Sequence, residues 1–308
     1  DPSETARAWA TEKGNLHSWS VSTYATLAEL PDSSSNDVAV VANWGPDHAD
    51  SVDALLAKSY REFVVEKPLA DSIRDSRDIR SRVEDAGGRL WVNLTRRFSP
   101  MAPRIHELSD EYNLGQVCAL TVTGGARCLA TNGIHWLDLA CQLFGADPTS
   151  VVASIHDDEL NPRDESLAFL EGMLSYEFPG RRRFTCTFTN SSAISEQGIL
   201  LWREASGTLD LAGRLTVHTR TAPEGDSRVT RTTSAEDLLL SEQISLHADG
   251  RSGLDELYRL AAQQDAPNAG LRTTEFLIGG LIASRLGERV PIPIQVEPAL
   301  LDEHWRIS

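Results

Sequence analysis

The stretch Phe63-Val64-Val65-Glu66-Lys67-Pro68-Leu69-Ala70 predicts the architecture around it. Its apolar run, Phe63 to Val65, is typical of a central strand of a parallel sheet, because both faces of such a strand are buried. Pro68 disfavours helical geometry at the preceding residue, so Lys67 is expected to stay extended and to project from the carboxyl end of the strand. Ligands of open α/β sheets bind at that edge. The stretch therefore predicts a buried strand that delivers a lysine to a cleft.

The chain on either side of this strand alternates between helix and strand patterns. Ser72 and Asp75 have the spacing of a capping box for a helix that runs to about Glu84. Further strands are predicted at residues 18–21, 37–42 and 90–94, and further helices at residues 5–13, 23–30 and 49–58. This alternation predicts a Rossmann-like parallel sheet domain over residues 1–100.

Beyond residue 100 the pattern changes to an alternation of apolar and polar residues, which is typical of an antiparallel sheet with two different faces. In residues 184–189, Phe184, Cys186 and Phe188 are expected to point to the core and the three threonines to the other face. Similar strands are predicted at residues 116–123, 151–156, 169–178, 198–202, 208–211 and 215–219, with a hairpin turn at Ser206-Gly207 and helices near 253–264 and 273–286. We predict an α+β second domain over residues 101–308 with a large, open-faced and mostly antiparallel sheet.

The composition argues against several classes of function. The chain of 308 residues has 29 basic and 45 acidic side chains, a formal net charge of -16, and no basic tract that would neutralise phosphates. Nucleic acid and anionic membranes are therefore not expected partners. No apolar run reaches the ~18 residues needed to cross a bilayer. The four cysteines form no Cys-x-x-Cys pair, so we predict no metal site and interpret them as reduced core residues of a cytoplasmic protein.

Three segments together carry a family resemblance. Glu66-Lys67-Pro68 after a hydrophobic strand resembles the signature of the glucose-fructose oxidoreductase, inositol dehydrogenase and MocA-like (Gfo/Idh/MocA) family of nicotinamide-dependent sugar oxidoreductases. Residues 37–42, followed by Asn43-Trp44-Gly45-Pro46-Asp47-His48, resemble the preceding strand of that family and its Pro-x-His loop. Residues 132–138, Asn-Gly-Ile-His-Trp-Leu-Asp, resemble its catalytic histidine segment.

The resemblance implies reversible hydride transfer between a nicotinamide cofactor and a sugar, polyol or nucleotide-sugar derivative. In that chemistry His135 would accept the hydroxyl proton, and the Lys67 cation would stabilise negative charge on the same oxygen. The substrate would be bound by Asn132, Asp138, Arg97 and Lys67. The cofactor, NAD with NADP left open, would be bound by Asp1, Asn43, Trp44, His48, Glu66 and Lys67. The open sheet face would make the contacts of a homo-oligomer.

Several of these residues have a second interpretation. His48 could pack locally, and Arg97 could form a salt bridge. Asn132, His135, Asp138 and Gln142 share one face of a predicted helix over residues 132–144, which a plain amphipathic helix with Asn132 as N-cap would also show. Asp1 could bind ribose hydroxyls or cap a helix that begins at Pro2.

Two departures from the family pattern bear on the function. The 308 residues contain no Gly-x-Gly-x-x-Gly turn, and the chain opens with Asp1-Pro2-Ser3 rather than methionine. We expect an amino-terminal part carrying that turn to be missing from the chain, because the turn and its helix hold the pyrophosphate. Thr131 stands where the family often has an aspartate, four residues before the histidine. Two alternatives remain: a noncatalytic sugar-binding or scaffolding homologue, and an NAD-dependent glycosidase or lyase that uses transient oxidation.

Overall fold

The computed structural model describes residues 1–34, 37–162, 164–210, 212–220, 236–245, 253–262 and 269–307. Its helices are α1 (Glu4–His17), α2 (His48–Ala57), α3 (Ile73–Asp85), α4 (Met101–Glu111), α5 (Leu129–Phe144), α6 (Gly253–Ala262), α7 (Thr273–Leu286) and α8 (Pro298–Leu301). Its strands are β1 (Val38–Val41), β2 (Glu62–Val65), β3 (Arg89–Val92), β4 (Val117–Gly124), β5 (Ser150–His156), β6 (Leu160–Asn161), β7 (Asp164–Ala168), β8 (Glu171–Phe178), β9 (Arg182–Phe188), β10 (Gln197–Trp202), β11 (Ala205–Asp210), β12 (Arg214–Arg220), β13 (Glu236–Gln243) and β14 (Val290–Pro291).

The first sheet is parallel, with the order β1-β2-β3. All four residues of β2 are buried, which confirms the prediction of a central strand around Phe63. Ser72 caps α3 through a hydrogen bond from the Asp75 backbone N–H to its hydroxyl (3.0 Å), as the spacing of these two residues predicts. The crossover helices α2 and α3 lie between the strands in sequence. The order of elements is therefore that of a Rossmann-like sheet.

The segment between α1 and β1 differs from the prediction. Residues 18–21 form no strand, because no described strand lies beside them and an isolated strand has no partner for its backbone groups. Ser18 instead closes α1 in the left-handed conformation (φ 58°), with its N–H directed at the carbonyls of Gly14 and Asn15. The helix predicted at residues 23–30 is only a 3₁₀ turn at Leu27–Glu29.

The second sheet has nine strands in the order β13-β12-β11-β10-β4-β9-β8-β5-β14. Within this sheet, β4 and β9 form the one parallel pair among the described strands, and the other pairs are antiparallel. Phe184, Cys186 and Phe188 of β9 are buried as predicted. The hairpin turn predicted at Ser206-Gly207 is wrong, because both residues lie inside β11. A Cβ on Gly207 would come within 2.9 Å of the Trp202 ring, so this glycine serves close packing rather than a turn.

One helix that follows the second sheet in sequence packs on the first. Leu257 and Ala261 of α6 form a small apolar cluster with Val64 of β2 and Trp91 of β3. The helix near residues 253–264 therefore covers a face of the parallel sheet, instead of completing the second domain as its position in the chain suggests. The predicted ends at Gln264 and Leu211 lie outside the described residues.

The cysteines correct one expectation. All four are free, and Cys128, Cys141 and Cys186 are buried or half-buried, but Cys118 is exposed. It lies on β4, where its side chain points away from the core side of that strand. Within the described residues, no helix combines the length and the apolar character that a membrane crossing requires.

Candidate active site

The carboxyl ends of the three parallel strands are tied to one another by hydrogen bonds. The Glu66 N–H donates to the Val41 carbonyl (2.9 Å), and the Asn93 N–H donates to the Val65 carbonyl (2.8 Å). The Asn93 side-chain amide donates to the Glu66 carboxylate. Asn93 Oδ1 is buried and has no hydrogen-bond partner among the described residues. Asn93 was not predicted as a site residue, although its place directly after β3 satisfies the same strand-end rule that selected Lys67.

Lys67 lies at the tip of β2, as predicted, and is half-buried. It is one of only three lysines in the chain, with Lys13 and Lys58. The Lys67-Pro68 peptide bond is cis. The loop that follows is fixed to α7, because the Leu69 N–H donates to the Thr274 hydroxyl (2.8 Å). The loop that carries Lys67 therefore connects β2 of the first sheet to α7, a helix that follows the second sheet in sequence.

His48 joins the loops that follow β1 and β2. Its Nδ1 lies 3.1 Å from the Leu69 carbonyl and its Nε2 lies 3.1 Å from the Asn43 carbonyl. The ring is buried, and this burial lowers the pKa of His48. These contacts agree with the second interpretation of His48, which is local packing. A direct contact of His48 with the cofactor stays a prediction. Trp44 is 37% exposed beside it.

Two other predicted cofactor contacts also have local partners. The Asn43 amide donates to the Ser51 hydroxyl (3.0 Å) and the Asp47 carbonyl (3.3 Å). The Asp1 carboxylate accepts the Ser3 N–H (2.8 Å), while Ser3 itself caps α1, which begins at Glu4 rather than at Pro2. Contacts of Asn43 and Asp1 with a dinucleotide remain predictions.

His135 lies on α5, which begins at Leu129 rather than at Asn132 as predicted. Asn132 is therefore inside the first turns, where its side-chain amide donates to the Arg127 carbonyl. His135 is half-buried, and its Nδ1 has no hydrogen-bond partner among the described residues. The position one turn earlier, where the family often has an aspartate, is Thr131.

Burial and two nearby positive charges lower the pKa of His135. Burial is the main cause that lowers the pKa of His135 well below its ordinary value of 6.5, and the positive charges of Arg96 and Lys67 lower it further. The charge of the strand-tip lysine therefore disfavours the protonated form of the helix histidine. His135 is consequently neutral at neutral pH, the state in which an imidazole can accept a proton.

Asp138 and Arg97 form a buried ion pair with each other, and contacts of either residue with a substrate stay a prediction. Arg97 donates to the Asp138 carboxylate through Nη2 (2.5 Å) and Nε (3.1 Å), and the Asp138 side chain is only 1% exposed. Thr273 and Gln142 donate to the same carboxylate at 3.2 Å each. Burial raises the pKa of Asp138, while the Arg97 charge and these hydrogen bonds lower it. The pair fixes α5 to the crossing between the two sheets, so the salt-bridge interpretation of Arg97 describes this geometry.

A second buried ion pair lies on the other side of α5 and was not predicted. Arg96 Nη2 lies 3.6 Å from Glu196 Oε2, and Trp136 Nε1 donates to the same oxygen (2.6 Å). The Arg96 guanidinium also lies over the Trp136 ring, 5.3 Å from its centroid. Glu196 precedes β10 and carries no local signal, because its role depends on a helix sixty residues away in the chain. The sequence singled out Arg96 only as the residue that precedes Arg97.

Residues 3–94 match a family model whose description is an oxidoreductase family with an NAD-binding Rossmann fold, GFO_IDH_MocA. This part of the chain is similar to the Gfo/Idh/MocA family. The resemblance stated from Glu66-Lys67-Pro68 is thereby confirmed, and the predicted fold class is confirmed by the two sheets. No curated protein sequence matches the chain.

Solved structures that are similar to this chain share its fold. A super-repressor mutant of Gal80p from Saccharomyces cerevisiae has a TM-score of 0.72 at 13% identity, covering 98% of this chain and 90% of its own. Levoglucosan dehydrogenase in complex with NADH and levoglucosan has a TM-score of 0.69 at 14% identity, covering 94% and 89%. An oxidoreductase from Agrobacterium radiobacter in complex with NAD⁺, L-tartaric acid and magnesium has a TM-score of 0.69 at 14% identity, covering 92% and 87%. At these identities the similarity shows the common two-sheet fold.

Proposed function

We propose that this protein is a nicotinamide-dependent oxidoreductase that acts on a hydroxyl group of a sugar, polyol or sugar derivative. The observation that carries the proposal is the place of Lys67 at the end of a parallel strand, where its positive charge lowers the pKa of His135 on α5. The match of residues 3–94 to an NAD-binding Rossmann fold supports the cofactor class. Two of the similar structures contain NADH or NAD⁺ together with a hydroxylated small molecule, which supports the substrate class.

The residues at the strand ends fit the nicotinamide side of a dinucleotide. Asn93 Oδ1, buried without a partner, and the Glu66 carboxylate offer acceptors, and the partly exposed Trp44 ring offers an apolar surface. β1 pairs on one side only among the described strands, and Val40 on it is 49% exposed. A further strand can therefore add at that edge.

The chain's own residues provide the acid–base part of the reaction. When bound, the nicotinamide supplies the hydride acceptor. His135, held neutral by its surroundings, accepts the proton of the substrate hydroxyl as the C–H bond breaks and the carbonyl forms. Lys67 stabilises the negative charge that develops on that oxygen. In the reverse direction the protonated His135 returns its proton to the oxygen of the new alcohol.

Calorimetry with NAD⁺ and NADH, followed by nicotinamide absorbance assays on a panel of polyols and aldoses, tests the proposal. We expect cofactor binding and turnover of at least one polyol, and loss of turnover in Lys67→Ala with cofactor binding retained. Lys13→Ala is the matched control, because Lys13 is a half-buried lysine of α1 that lies over the Trp9 ring. Normal turnover by Lys67→Ala would overturn the assignment. Substrate consumption at constant total NADH would instead indicate transient oxidation.

A noncatalytic binding protein is the second candidate. The fold similarity to Gal80p, whose structure is that of a super-repressor mutant, and the threonine at position 131 favour it. Saturable binding of a sugar without any nicotinamide binding would support this candidate. Micromolar binding of NAD⁺ or NADH together with turnover would exclude it.

A further inference from the structure

Two acidic side chains at the start of α3 meet a histidine from the carboxy-terminal segment. His304 Nδ1 lies 3.0 Å from Asp71 Oδ1 and 3.7 Å from Asp75 Oδ2. These three atoms all lie within 4.8 Å of one another. Asp71 directly precedes Ser72, the N-cap residue of α3, and Asp75 lies in the first turn of the helix. The group therefore joins two parts of the chain, since His304 and Asp71 are 233 residues apart in sequence.

The Asp71 carboxylate is buried without a permanent positive charge beside it. Its side chain is 6% exposed, and that of Asp75 is 26% exposed. Among the described residues, no lysine or arginine forms an ion pair with either carboxylate, while the nearby Asp302 is paired with Arg74. His304 compensates the buried charge only when its ring is protonated. Because a buried charge is normally paired with an opposite charge or coordinates a metal, this carboxylate calls for a further cation.

The position at a helix start explains only part of this group. The first backbone N–H groups of a helix carry a partial positive charge, which favours carboxylates such as those of Asp71 and Asp75. This preference does not account for an imidazole nitrogen that lies against both of them. The expectation of no metal site was based on the cysteines, and none of these three residues is a cysteine. One imidazole nitrogen and two carboxylate oxygens form a donor set that Zn²⁺ binds.

The spacing of the three atoms also fits zinc. In a tetrahedral site with bonds of roughly 2.0–2.1 Å, two ligand atoms are roughly 3.3–3.4 Å apart. The separations of 3.0 and 3.7 Å from His304 Nδ1 lie on either side of this value, so small side-chain rotations bring the three atoms onto one ion. His304 also lines a cavity of about 400 Å³, together with residues of α7 and of the carboxy-terminal segment. The cavity has room for water in the fourth coordination position.

We propose that Asp71, Asp75 and His304 bind a Zn²⁺ ion that fastens the carboxy-terminal segment to α3. The ion replaces the proton that His304 Nδ1 shares with the Asp71 carboxylate. The Trp305 N–H donates to the Asp71 carbonyl (2.8 Å), so the ion and this backbone hydrogen bond hold the same two segments together. Asp71 follows Lys67 by four residues. A clamp at Asp71 therefore also restrains the loop that carries Lys67.

Isothermal titration calorimetry with Zn²⁺ on protein freed of metal by a chelator tests the proposal. Wild type and variants are compared in a Cys118→Ser background, because the exposed Cys118 thiol is itself a potential zinc ligand. We expect one site of micromolar or tighter affinity that millimolar Mg²⁺ does not block, because Mg²⁺ prefers six oxygen ligands. Asp75→Asn and His304→Gln should each weaken zinc binding by about tenfold or more, and the two together should abolish it.

Two control variants remove the same side-chain types elsewhere. Asp53→Asn changes a half-exposed aspartate of α2 that is paired with Arg82, and His106→Gln changes an exposed histidine of α4. Both are expected to keep the zinc affinity of the background protein. X-ray absorption at the zinc edge should show nitrogen and oxygen ligands at about 2.0–2.1 Å and no sulfur at about 2.3 Å. Circular dichroism verifies that each variant is folded.

Unchanged zinc affinity in the double variant would overturn the proposal, because the binding would then be adventitious. Failure of the background protein to bind micromolar Zn²⁺, or a sulfur ligand in the absorption spectrum, would overturn it as well. The melting temperature gives a second readout, since Zn²⁺ should raise it in the background protein and leave it unchanged in the double variant. None of these measurements needs cofactor or substrate, so they can fail while the proposed oxidoreductase function stands, and the converse also holds.

Discussion

The Asp138 carboxylate receives two hydrogen bonds from Arg97 and lies one helical turn from His135. This pair connects α5, which carries the histidine, to the 3₁₀ turn where the chain crosses between the sheets. On the other side of the helix, Arg96 makes the corresponding contact through Glu196 and Trp136. Two successive arginines thus hold the helix next to its histidine, and the position of His135 depends on both.

Removing Arg97 should destabilise the protein strongly. Arg97→Ala leaves Asp138 charged and buried without its ion partner, and such losses typically cost about 3–5 kcal/mol. Arg74→Ala is the matched control, because the Arg74–Asp302 pair is 49% exposed on both sides and surface pairs contribute less than about 1 kcal/mol. Urea unfolding measures both variants. Equal unfolding midpoints would show that the buried pair contributes no more than the surface pair.

An acidic residue at position 131 should restore the contact that His135 lacks. Thr131→Asp places a carboxylate one turn before His135, whose Nδ1 is buried without a partner among the described residues. A neighbouring negative charge favours the imidazolium form, so the pKa of His135 should rise by about one unit or more. A pH titration of the His135 ring signals by NMR, assigned through His135→Gln, measures this pKa. Thr131→Asn, of the same shape without the charge, should leave the midpoint low, and equal midpoints in the two variants would contradict the prediction.

The carboxy-terminal segment should dock in a pH-dependent way. His304 Nδ1 lies 3.0 Å from Asp71 and 3.7 Å from Asp75, and the hydrogen bond with Asp71 is the main cause that raises the pKa of His304 above 6.5. Because the folded-state pKa is raised, the contribution of His304 to stability is complete below its unfolded value and disappears as the pH rises through the folded value.

The difference in melting temperature between the wild type and His304→Gln should therefore be largest near pH 5.5 and vanish near pH 9. The same replacement in an Asp71→Asn background should show a smaller pH dependence, because the main partner is then uncharged. A difference in melting temperature that is constant from pH 5.5 to pH 9 would contradict the prediction. Potential metal-ligand atoms of Asp71, Asp75 and His304 lie within 4.8 Å of one another. The melting temperatures should therefore be measured in the presence of a metal chelator.

The open face of the large sheet should hold subunits together. Ile199 and Leu201 of β10 are 45% and 46% exposed, and Ile199 pairs with Thr121 of β4 on the same face. Charged residues in a buried interface are costly, so Ile199→Glu with Leu201→Glu should dissociate the proposed homo-oligomer. Leu286→Glu, at an exposed position at the end of α7, is the control. Sedimentation velocity measures the mass, and an unchanged oligomer in the double variant would place the interface elsewhere.

Much of the fold was predictable from local patterns. The apolar run at Phe63 predicts the buried β2, Ser72 and Asp75 predict the start of α3, and the alternation around Cys186 predicts the two faces of β9. The errors fall where the outcome depends on a neighbour. Residues 18–21 have strand composition but no strand to pair with, and Gly207 was interpreted as a turn because its contact with Trp202 is invisible in the sequence.

The sequence by itself determined most of the segments that become strands and helices, and it placed Lys67 and His135 at the positions where the chemistry is proposed. These features follow from residues that are neighbours in the chain, where periodicity and capping act. Only the tertiary structure decided that α6 covers the parallel sheet and that Arg97 forms an ion pair with Asp138. The same holds for the ion pair of Glu196 with Arg96 beside Trp136. Such contacts depend on how strands are ordered and how a helix is rotated against them. The energy of burying a charge then selects its partner from any part of the chain.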